Sequence, residues 1–368
     1  MIQNYRHGAL VMLADGRVCS MIEERMDNFP IVAESVVAMR ASKSGLVLMR
    51  TTDDRIIRSS VKMGLSDITP RLMRQLRDGD AGIQDFIVGN GYYVIRTRDQ
   101  ICVISTITGV CRHYKNTKVD LVSFYSGFGY IRTTCNRLIA LDMPIYDKSE
   151  LSRSMLVRHS DAKNIKEIIC GLYCAVVIRH DGTAYSHSRA KNPRVTSGTI
   201  KESYFKTITL PDGELVFKIV MDGCHTLFIM TSGLCYYEDA REPKLCPEPI
   251  EALYGFCVED AHILGDLAAI KYDGNKVCMI NTLYQCTHTK YCVSLLSFFD
   301  DKSTASVARV GDHVYFIMDD GSAYQCGIDI ITTDPVPDRI RFFDDNPIAI
   351  VDRAQTIRSA QNVLVHEP

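Results

Sequence analysis

The chain has 368 residues, of which 46% are hydrophobic and 23% are charged, and its formal net charge is -2. This balance is typical of a globular protein, and it does not favour nucleic acid as a partner, without excluding it. We find no secretory leader and no apolar run near the ~20 residues of a membrane helix. We therefore expect no membrane contact and a cytoplasmic or nuclear location rather than secretion.

One sequence motif recurs along the chain at a spacing of roughly 40–50 residues, as in repeat architectures. It reads apolar-x-x-Ile-x-x, then a Gly, an apolar run, a polar turn and a second apolar run. Nine copies begin at Tyr5, Val36, Ile83, Val119, Ile165, Val216, Val258, Thr304 and Ile348, and the first and last are partial. Their turns lie near Asp15, Asp53, Asp99, Asn136, Asp181, Ser232, Asp273, Asp320 and Gln361.

Each copy predicts a β-hairpin that is buried on both faces. Asp-Gly pairs at 15–16, 181–182, 273–274 and 320–321 favour tight turns, and the flanking strands run apolar without alternation. Units of this size and composition match the blades of a β-propeller. We predict an all-β chain, 1–368, that forms one propeller domain of seven or eight blades. The partial terminal copies share a closing blade, which removes a free sheet edge.

A short helix is predicted between the second and third copies, near residues 66–78. Ser66 is a candidate cap, Pro70 falls in the first turn, and Leu72, Met73 and Leu76 have helical spacing.

The repeat resembles that of the regulator of chromosome condensation family. The segments "IKEIICGLYCAVVIRHDGTAYS" from Ile165 and "VFKIVMDGCHTLFIMTSGLCYY" from Val216 carry the resemblance best. It implies a seven-bladed propeller whose members act as exchange factors for small GTPases or as binding scaffolds. The family's repeat closes with Trp-Gly, whereas this chain has no Trp. The resemblance therefore supports the family's fold more strongly than its exchange activity, because activity depends on particular site residues rather than on the fold.

The 14 cysteines are scattered and without a CxxC pair, and we interpret them mainly as reduced, buried small hydrophobes. The nearest approach to a metal cluster is "CTHTKYC", from Cys286 through His288 to Cys292. It lacks a second ligand pair at zinc-like spacing, so we predict no metal site and no cofactor.

No nucleophile elbow, phosphate loop or metalloprotease helix occurs in the sequence, and we predict no catalytic residues and no enzymatic activity. His225 occupies the family's His-Thr position, where a structural hydrogen bond is favoured over catalysis. Adjacent carboxylates such as Asp53-Asp54 and Asp319-Asp320 fall at turns, where solvated turn chemistry explains them.

A basic residue ends the first hairpin strand in six copies and follows a large apolar residue each time. The six are Arg50, Arg96, Arg132, Arg179, Lys271 and Arg358. In a propeller they would lie at similar height beside the hairpin turns. Either they bridge to carboxylates and carbonyls of the fold, or they form a partial basic ring that binds an acidic partner.

These features favour a non-enzymatic interaction scaffold or adaptor, a subunit of a larger assembly with protein partners. The alternative is a regulator that promotes nucleotide exchange on a small GTPase. For the scaffold we expect a protein partner with an acidic surface. For the exchange regulator the partner is the small GTPase itself.

Overall fold

A computed structural model describes most of the chain. The described residues are 8–13, 15–22, 31–41, 46–60, 64–75, 82–89, 92–97, 100–105, 111–115, 119–125, 128–133, 138–142, 153–158, 162–171, 174–188, 199–201, 205–211, 213–222, 225–239, 247–264, 267–274, 276–281, 292–295, 304–310, 313–327, 338–340, 347–352 and 362–365. They are almost entirely β-structure. None of their helices has the length and hydropathy needed to cross a membrane.

The strands are short, as expected of hairpins that turn every few residues. In chain order they are β1 (Gly8–Leu13), β2 (Val18–Ile22), β3 (Ile31–Ala33), β4 (Val36–Ala41), β5 (Val47–Thr51), β6 (Ile56–Ser60), β7 (Gly64–Asp67), β8 (Ile83–Gly89), β9 (Tyr92–Thr97), β10 (Gln100–Ser105), β11 (Cys111–Lys115), β12 (Val119–Tyr125), β13 (Phe128–Thr133), β14 (Leu138–Asp142), β15 (Arg153–Arg158), β16 (Ile165–Cys170), β17 (Cys174–Arg179), β18 (Ala184–Ser188), β19 (Thr199–Lys201), β20 (Phe205–Thr207), β21 (Val216–Asp222), β22 (His225–Met230), β23 (Cys235–Asp239), β24 (Glu248–Pro249), β25 (Val258–Leu264), β26 (Leu267–Tyr272), β27 (Lys276–Asn281), β28 (Cys292–Leu295), β29 (Thr304–Val310), β30 (His313–Met318), β31 (Ala323–Gly327), β32 (Asp338–Ile340), β33 (Pro347–Asp352) and β34 (Asn362–Val365).

The described strands form eight sheets, each built on four antiparallel strands. We number these blades in chain order by strand: blade 1 is β33-β1-β2-β3, blade 2 is β4 to β7, blade 3 is β8 to β11, blade 4 is β12 to β15, blade 5 is β16-β17-β18-β20, blade 6 is β21 to β24, blade 7 is β25 to β28 and blade 8 is β29 to β32. Blade 4 carries two further strands, β34 beside β12 and β19 parallel to β15.

This is the blade architecture of a β-propeller, and the predicted fold class is confirmed. Of the predicted seven or eight blades, the described residues form eight, one more than the family resemblance implies. The chain divides into two compact units of four blades each. One unit holds blades 7, 8, 1 and 2, and the other holds blades 3 to 6. The one-domain interpretation stays a prediction.

The core of each unit lies between successive blades, because both faces of a blade are apolar. Tyr130 of blade 4 packs with Ile165 and Val177 of blade 5. On the other face of blade 5, Ile178 packs with Val216 of blade 6. Blades 7 and 8 meet in the same way, as do blades 1 and 2.

All eight blades share a β-bulge near the start of the first strand, where one extra residue faces a single residue of the second strand. The bulge explains the recurring apolar-x-x-Ile motif. Side chains three residues apart point to opposite faces of a regular strand, but the extra residue returns them to the same face. Val36 and Met39 are accordingly both buried against blade 1.

The hairpin turns repeat as closely as the bulges. In blade 1 the amide of Gly16 donates to the carbonyl of Leu13 at 3.0 Å, and Gly16 has a φ of 83°. The turn is therefore a three-residue loop in which glycine takes the left-handed position, rather than a two-residue turn. The Asp15 carboxylate accepts from the amide of Arg17 at 3.0 Å and closes the loop. Asp181 and Asp320 accept in the same way from the second residue after them.

The two ends of the repeat meet as predicted, because β33 pairs with β1 and completes blade 1 as its first strand. The second half of the last copy does not join this blade. Its strand β34 pairs with β12 of blade 4, which already has four strands of its own. The predicted turn at Gln361 lies outside the described residues.

The predicted short helix is present as α1 (Thr69–Gln75), within the range 66–78. Its cap differs from the expected one, because Ser66 lies inside β7 and pairs with Arg58. The Asp67 carboxylate accepts instead from the amide of Thr69 at 2.8 Å. An acidic side chain at this point satisfies an amide that the helix leaves without a partner.

Candidate interaction surface at the bulge end of the blades

Five of the six basic residues singled out in the sequence are described, and each of the five lies on the second strand of its blade. Four of them pair with the residue that follows the bulge. The four pairs are Arg50 with Ala38, Arg96 with Asp85, Arg132 with Leu121, and Lys271 with Asp260. All four basic side chains are half-buried. Arg358 lies outside the described residues.

Arg179 takes a different position, one residue further along its strand. It pairs with Ile165, before the bulge, which is the position of Thr51 and Thr97 in blades 2 and 3. Successive side chains alternate between faces, so Arg179 points to the same side as Val177, towards blade 4. Its guanidinium lies 4.2 Å from the ring centroid of Tyr185, an attractive cation–π contact within blade 5.

The threonines at that position cap the hairpins, which explains the recurring Arg-Thr dipeptide. Thr51 and Thr97 are buried. The hydroxyl of Thr51 donates to the Asp53 carboxylate, and accepts from the amide of Arg55 at 3.1 Å. The pKa of Asp53 is lowered mainly by the hydrogen bond from Thr51 and further by Arg55. The pKa of Asp181 is lowered chiefly by Thr183, with a smaller contribution from the charge of Arg179. These carboxylates are thus ordinary turn acceptors.

The basic row is not uniformly positive. Asp85 and Asp260 lie directly across from Arg96 and Lys271, and cross-strand neighbours of opposite charge attract. Glu167 and Lys218 occupy the matching first-strand positions of blades 5 and 6. Burial raises the pKa of Glu167, and the charges of Lys166 and Lys218 oppose that rise. The structure therefore places charges of both signs behind the bulge.

The sequence reasoning did not single out the bulge residues themselves. Where their exposure is described they are all exposed: Val37, Gln84, Lys166, Phe217 and Glu259. The burial pattern buried-exposed-half-buried-buried repeats across the motif in these five blades. The sequence does contain a signal for them. The two apolar residues of apolar-x-x-Ile are three apart, which indicates a bulge in a strand, and the second position of the motif is then the extra residue.

Blades 5 and 6 combine their bulge residues into one patch. The Nζ atom of Lys166 donates to the carbonyl of Phe217 at 3.4 Å and lies 5.8 Å from its ring centroid. Phe217 is 51% exposed and Leu215 is 42% exposed. We name Lys166, Leu215 and Phe217 the 5/6 patch.

Blade 6 also contains a buried polar pair that the sequence did not reveal. Thr226 and Glu238 lie directly across from each other on neighbouring strands, at 0% and 3% exposure. Neither the Thr226 hydroxyl nor either Glu238 oxygen has a hydrogen-bond partner among the described residues. Burial raises the pKa of Glu238 to about 7, and the charge of Asp239 adds to the rise. Glu238 is therefore protonated over much of the acidic pH range.

His225 of the same blade forms a hydrogen bond of 2.8 Å between its Nδ1 atom and the Tyr237 hydroxyl, the structural role expected for it.

Two cysteines and a histidine come together on one face of blade 3. The ligand atoms of Cys102, Cys111 and His113 all lie within 4.8 Å of one another. Cys102 is directly across from His113 in the pairing of β10 with β11. In the segment predicted as the nearest approach to a metal cluster, Cys286 and His288 lie outside the described residues, and Cys292 opens β28.

The nine cysteines whose side chains are described are free thiols, and seven of them are buried. Burial raises the pKa of the Cys170 and Cys278 thiols to about 12, so both stay protonated and unreactive at neutral pH. These two fit the interpretation as small hydrophobes. The signal that sets Cys111 apart is its Cys-x-His spacing within a strand, which places two ligand side chains on one face.

Comparisons with known proteins concern the fold. No family model matches the chain, and no curated protein sequence matches it either. The structure of the computationally designed Ika8 protein is similar to it with a TM-score of 0.52 and 12% identity, covering 88% of this chain and 95% of that one. Prp20p from Saccharomyces cerevisiae, described with its binding properties to Gsp1p and histones, has a TM-score of 0.45 and 10% identity over 94% of this chain and 87% of its own. Human WBSCR16 has a TM-score of 0.47 and 11% identity over 72% and 83%. At such identities the likeness to Ika8 extends to the fold alone, and function must be argued from the residues of this chain.

Proposed function

We propose that this protein is a non-enzymatic interaction scaffold that binds a protein partner at the bulge end of its blades. The observation that carries the proposal is the repeated bulge, which exposes one side chain in each of the five blades where that side chain is described. Behind these side chains lie half-buried basic residues, Arg50 in one unit and Arg96 and Arg132 in the other. Such a surface can be varied blade by blade without disturbing the core.

The 5/6 patch is the part of this surface with the composition of an interface. Aromatic side chains are enriched at the centres of protein interfaces, and a few of them supply most of the binding energy. Phe217 is large, half-exposed and held by Lys166, so little conformational entropy is lost when a partner covers it. Lys166 and Lys218 add positive charge beside it. The partner expected is a protein segment with an apolar anchor flanked by carboxylates.

Cross-linking and mass spectrometry on the natural complex would identify the partner and the residues it touches. We then expect Phe217→Ala to weaken binding to the purified partner roughly tenfold or more. Leu65→Ala is the control, because Leu65 is also an exposed apolar residue, at 42%, and lies within the outer strand β7 and away from the bulge. Cross-links confined to other surfaces, or equal affinities of both variants and the parent, would contradict the proposal.

The alternative function is promotion of nucleotide exchange on a small GTPase. A GTPase would also be a protein partner, so binding alone does not separate the two. Release of labelled GDP from the identified GTPase, measured with and without this chain, does separate them. Acceleration that Phe217→Ala abolishes would favour the exchange regulator over the scaffold.

The basic row gives a second measurement on the same complex. Arg96 and Arg132 stand at equivalent positions in blades 3 and 4, whereas Arg179 does not. If the row attracts an acidic partner, Arg96→Ala with Arg132→Ala weakens binding more at low salt than at high salt, because screening removes part of the attraction. Arg179→Ala leaves the salt dependence unchanged and serves as the control.

A further inference from the structure

We infer that Cys102, Cys111 and His113 form a zinc-binding site on blade 3. The residues are of the right chemistry, because thiolate sulfur and imidazole nitrogen are the ligands that structural Zn²⁺ sites use. The pairing register holds them in place. Cys102 and His113 are cross-strand partners, and Cys111 is two residues before His113, so all three side chains project from one face of the blade.

The distances fit a metal of this size. A tetrahedral Zn²⁺ with its usual bond lengths separates a sulfur and a nitrogen ligand by about 3.6 Å and two sulfurs by about 3.8 Å. Cys102 Sγ lies 3.3 Å from His113 Nδ1, and the three ligand atoms lie within 4.8 Å of one another. Bringing a separation of up to 4.8 Å to these values takes about 1 Å at most, which rotation of the side chains that share the change can supply.

The surroundings of His113 Nδ1 support a cation. This nitrogen lies 3.3 Å from Cys102 Sγ and 3.2 Å from Gln100 Oε1. A neutral imidazole has at this atom either one proton to donate or one lone pair that accepts. It can therefore form a good hydrogen bond with one of these two neighbours and only a poor one with the other. A cation at their common centre would instead accept electron pairs from nitrogen and sulfur together. Gln100 Oε1 or a water molecule can complete the tetrahedron, because Gln100 lies on the same face.

The site differs from the other cysteines in its access. Cys102 is fully buried, but Cys111 and His113 are half-buried, so an ion can reach the cluster from solvent. Three protein ligands on two adjacent strands would fix the pairing of β10 with β11, the outer hairpin of the blade. Metal binding would therefore add to folding stability, since the unfolded chain does not hold the ligands together.

The experiment uses the full chain, freed of metal with a chelator and titrated with Co²⁺ as a spectroscopic substitute for Zn²⁺. We expect one Co²⁺ per chain, with a thiolate charge-transfer band and the visible d–d bands of tetrahedral cobalt, both removed by added Zn²⁺. Cys111→Ser and His113→Asn lower the affinity by more than the ~10–100-fold that loss of a supporting outer-shell residue costs. Cys257→Ser is the matched control and leaves the titration unchanged, because Cys257 is exposed and outside the cluster.

Alkylation followed by mass spectrometry keeps the test decisive if a variant fails to fold. In the parent chain, bound Zn²⁺ protects Cys111 from alkylation but leaves Cys257 reactive. The inference is overturned if the parent chain shows no thiolate band, if Cys111→Ser retains the band, or if Cys102 and Cys111 are found joined in a disulfide. If no metal binds here, the proposed scaffold function is unaffected, because none of the three ligands is a bulge residue.

Discussion

Blade 1 and blade 6 have the same bulge and the same kind of hairpin, yet they are assembled differently. Blade 6 is one continuous stretch, from Val216 to Pro249. Blade 1 takes its first strand, β33, from the other end of the chain. Blade 6 also buries Thr226 and Glu238, where the equivalent pair in blade 1 is Ala9 and Met21. Local sequence thus sets the form of a blade, whereas its stability depends on connectivity and on what it buries.

The largest effect is expected from removing the strand that blade 1 borrows. Deleting residues 348–368 leaves β1 with an unpaired edge and uncovers apolar surface, so we expect a loss of ~5 kcal/mol or more, comparable with the stability of a whole domain. Urea denaturation followed by circular dichroism measures it. Deleting residues 360–368 is the control, since it removes β34 and its four cross-strand pairs at ~0.2–1 kcal/mol each. Equal melting of the longer deletion and the parent would show that blade 1 does not need β33.

A smaller effect is expected from the acid that blade 6 buries. The pKa of Glu238 is raised from 4.5 to about 7 in the folded chain, so the folded state keeps a proton that the unfolded state releases between these values. The free energy of unfolding therefore falls as pH rises from about 4.5 to about 7, by up to ~3 kcal/mol, and is constant above that range.

The variant Glu238→Gln tests this assignment, because an amide of the same shape has no proton to lose. Its stability relative to the parent should improve from pH 5 to about pH 7 and stay constant from there to pH 8, as measured by urea midpoints. A constant difference between the two chains across that range would mean that Glu238 ionises normally. Blade 1, with Met21 at the equivalent position, contributes no such pH dependence.

The smallest effects concern the hairpins, which link blade 1 to blade 2 as they link blade 5 to blade 6. The carbonyl of Gly16 accepts from the amide of Val36 at 2.8 Å, and that of Gly182 from the amide of Val216 at 3.0 Å. A Cβ at residue 16 would lie 3.0 Å from the Val36 carbonyl oxygen, which is backbone and cannot move aside. We expect Gly16→Ala to cost about 2 kcal/mol, from the left-handed conformation together with this contact.

Gly274→Ala provides the reference for that measurement. Gly274 has a similar φ of 88°, but a Cβ there would meet nothing within 4 Å, so we expect about 1 kcal/mol from conformation alone. Thermal unfolding of both variants gives the difference. If the two cost the same, the contact with blade 2 is not tight, and blade 1 depends on β33 rather than on its neighbour.

The parts of this fold that could be predicted from the sequence are those that each repeat specifies locally. Asp-Gly turns and doubly buried strands are short-range features, so the blades, the short helix and the sharing of blade 1 followed from the pattern. The pairing register of the basic residues did not follow from the pattern, because the number of residues between the basic residue and the turn varies. Arg50 stands three residues before Asp53, whereas Arg179 stands two before Asp181, and a shift of one residue changes the face.

The candidate sites required pairings that the sequence does not display. Cys102 meets His113 across a connection whose length gives no register. Thr226 meets Glu238 across a three-residue hairpin turn, so their pairing is local, but their burial is not. In the linear sequence Glu238 is one of two adjacent acids after two tyrosines and resembles an exposed strand end. Its burial depends on the neighbouring blade, which no local pattern encodes.

The bulge has a consequence for how such a protein can change. A side chain at that position is exposed wherever it is described, so its volume and charge do not enter the buried core between blades. Within this one chain the position already holds Val37, Gln84, Lys166, Phe217 and Glu259, which are apolar, polar, cationic, aromatic and anionic in turn. The fold therefore separates the residues that pack its core from a set of exposed positions that are free to vary. New specificities can arise there through single substitutions, without compensating changes elsewhere.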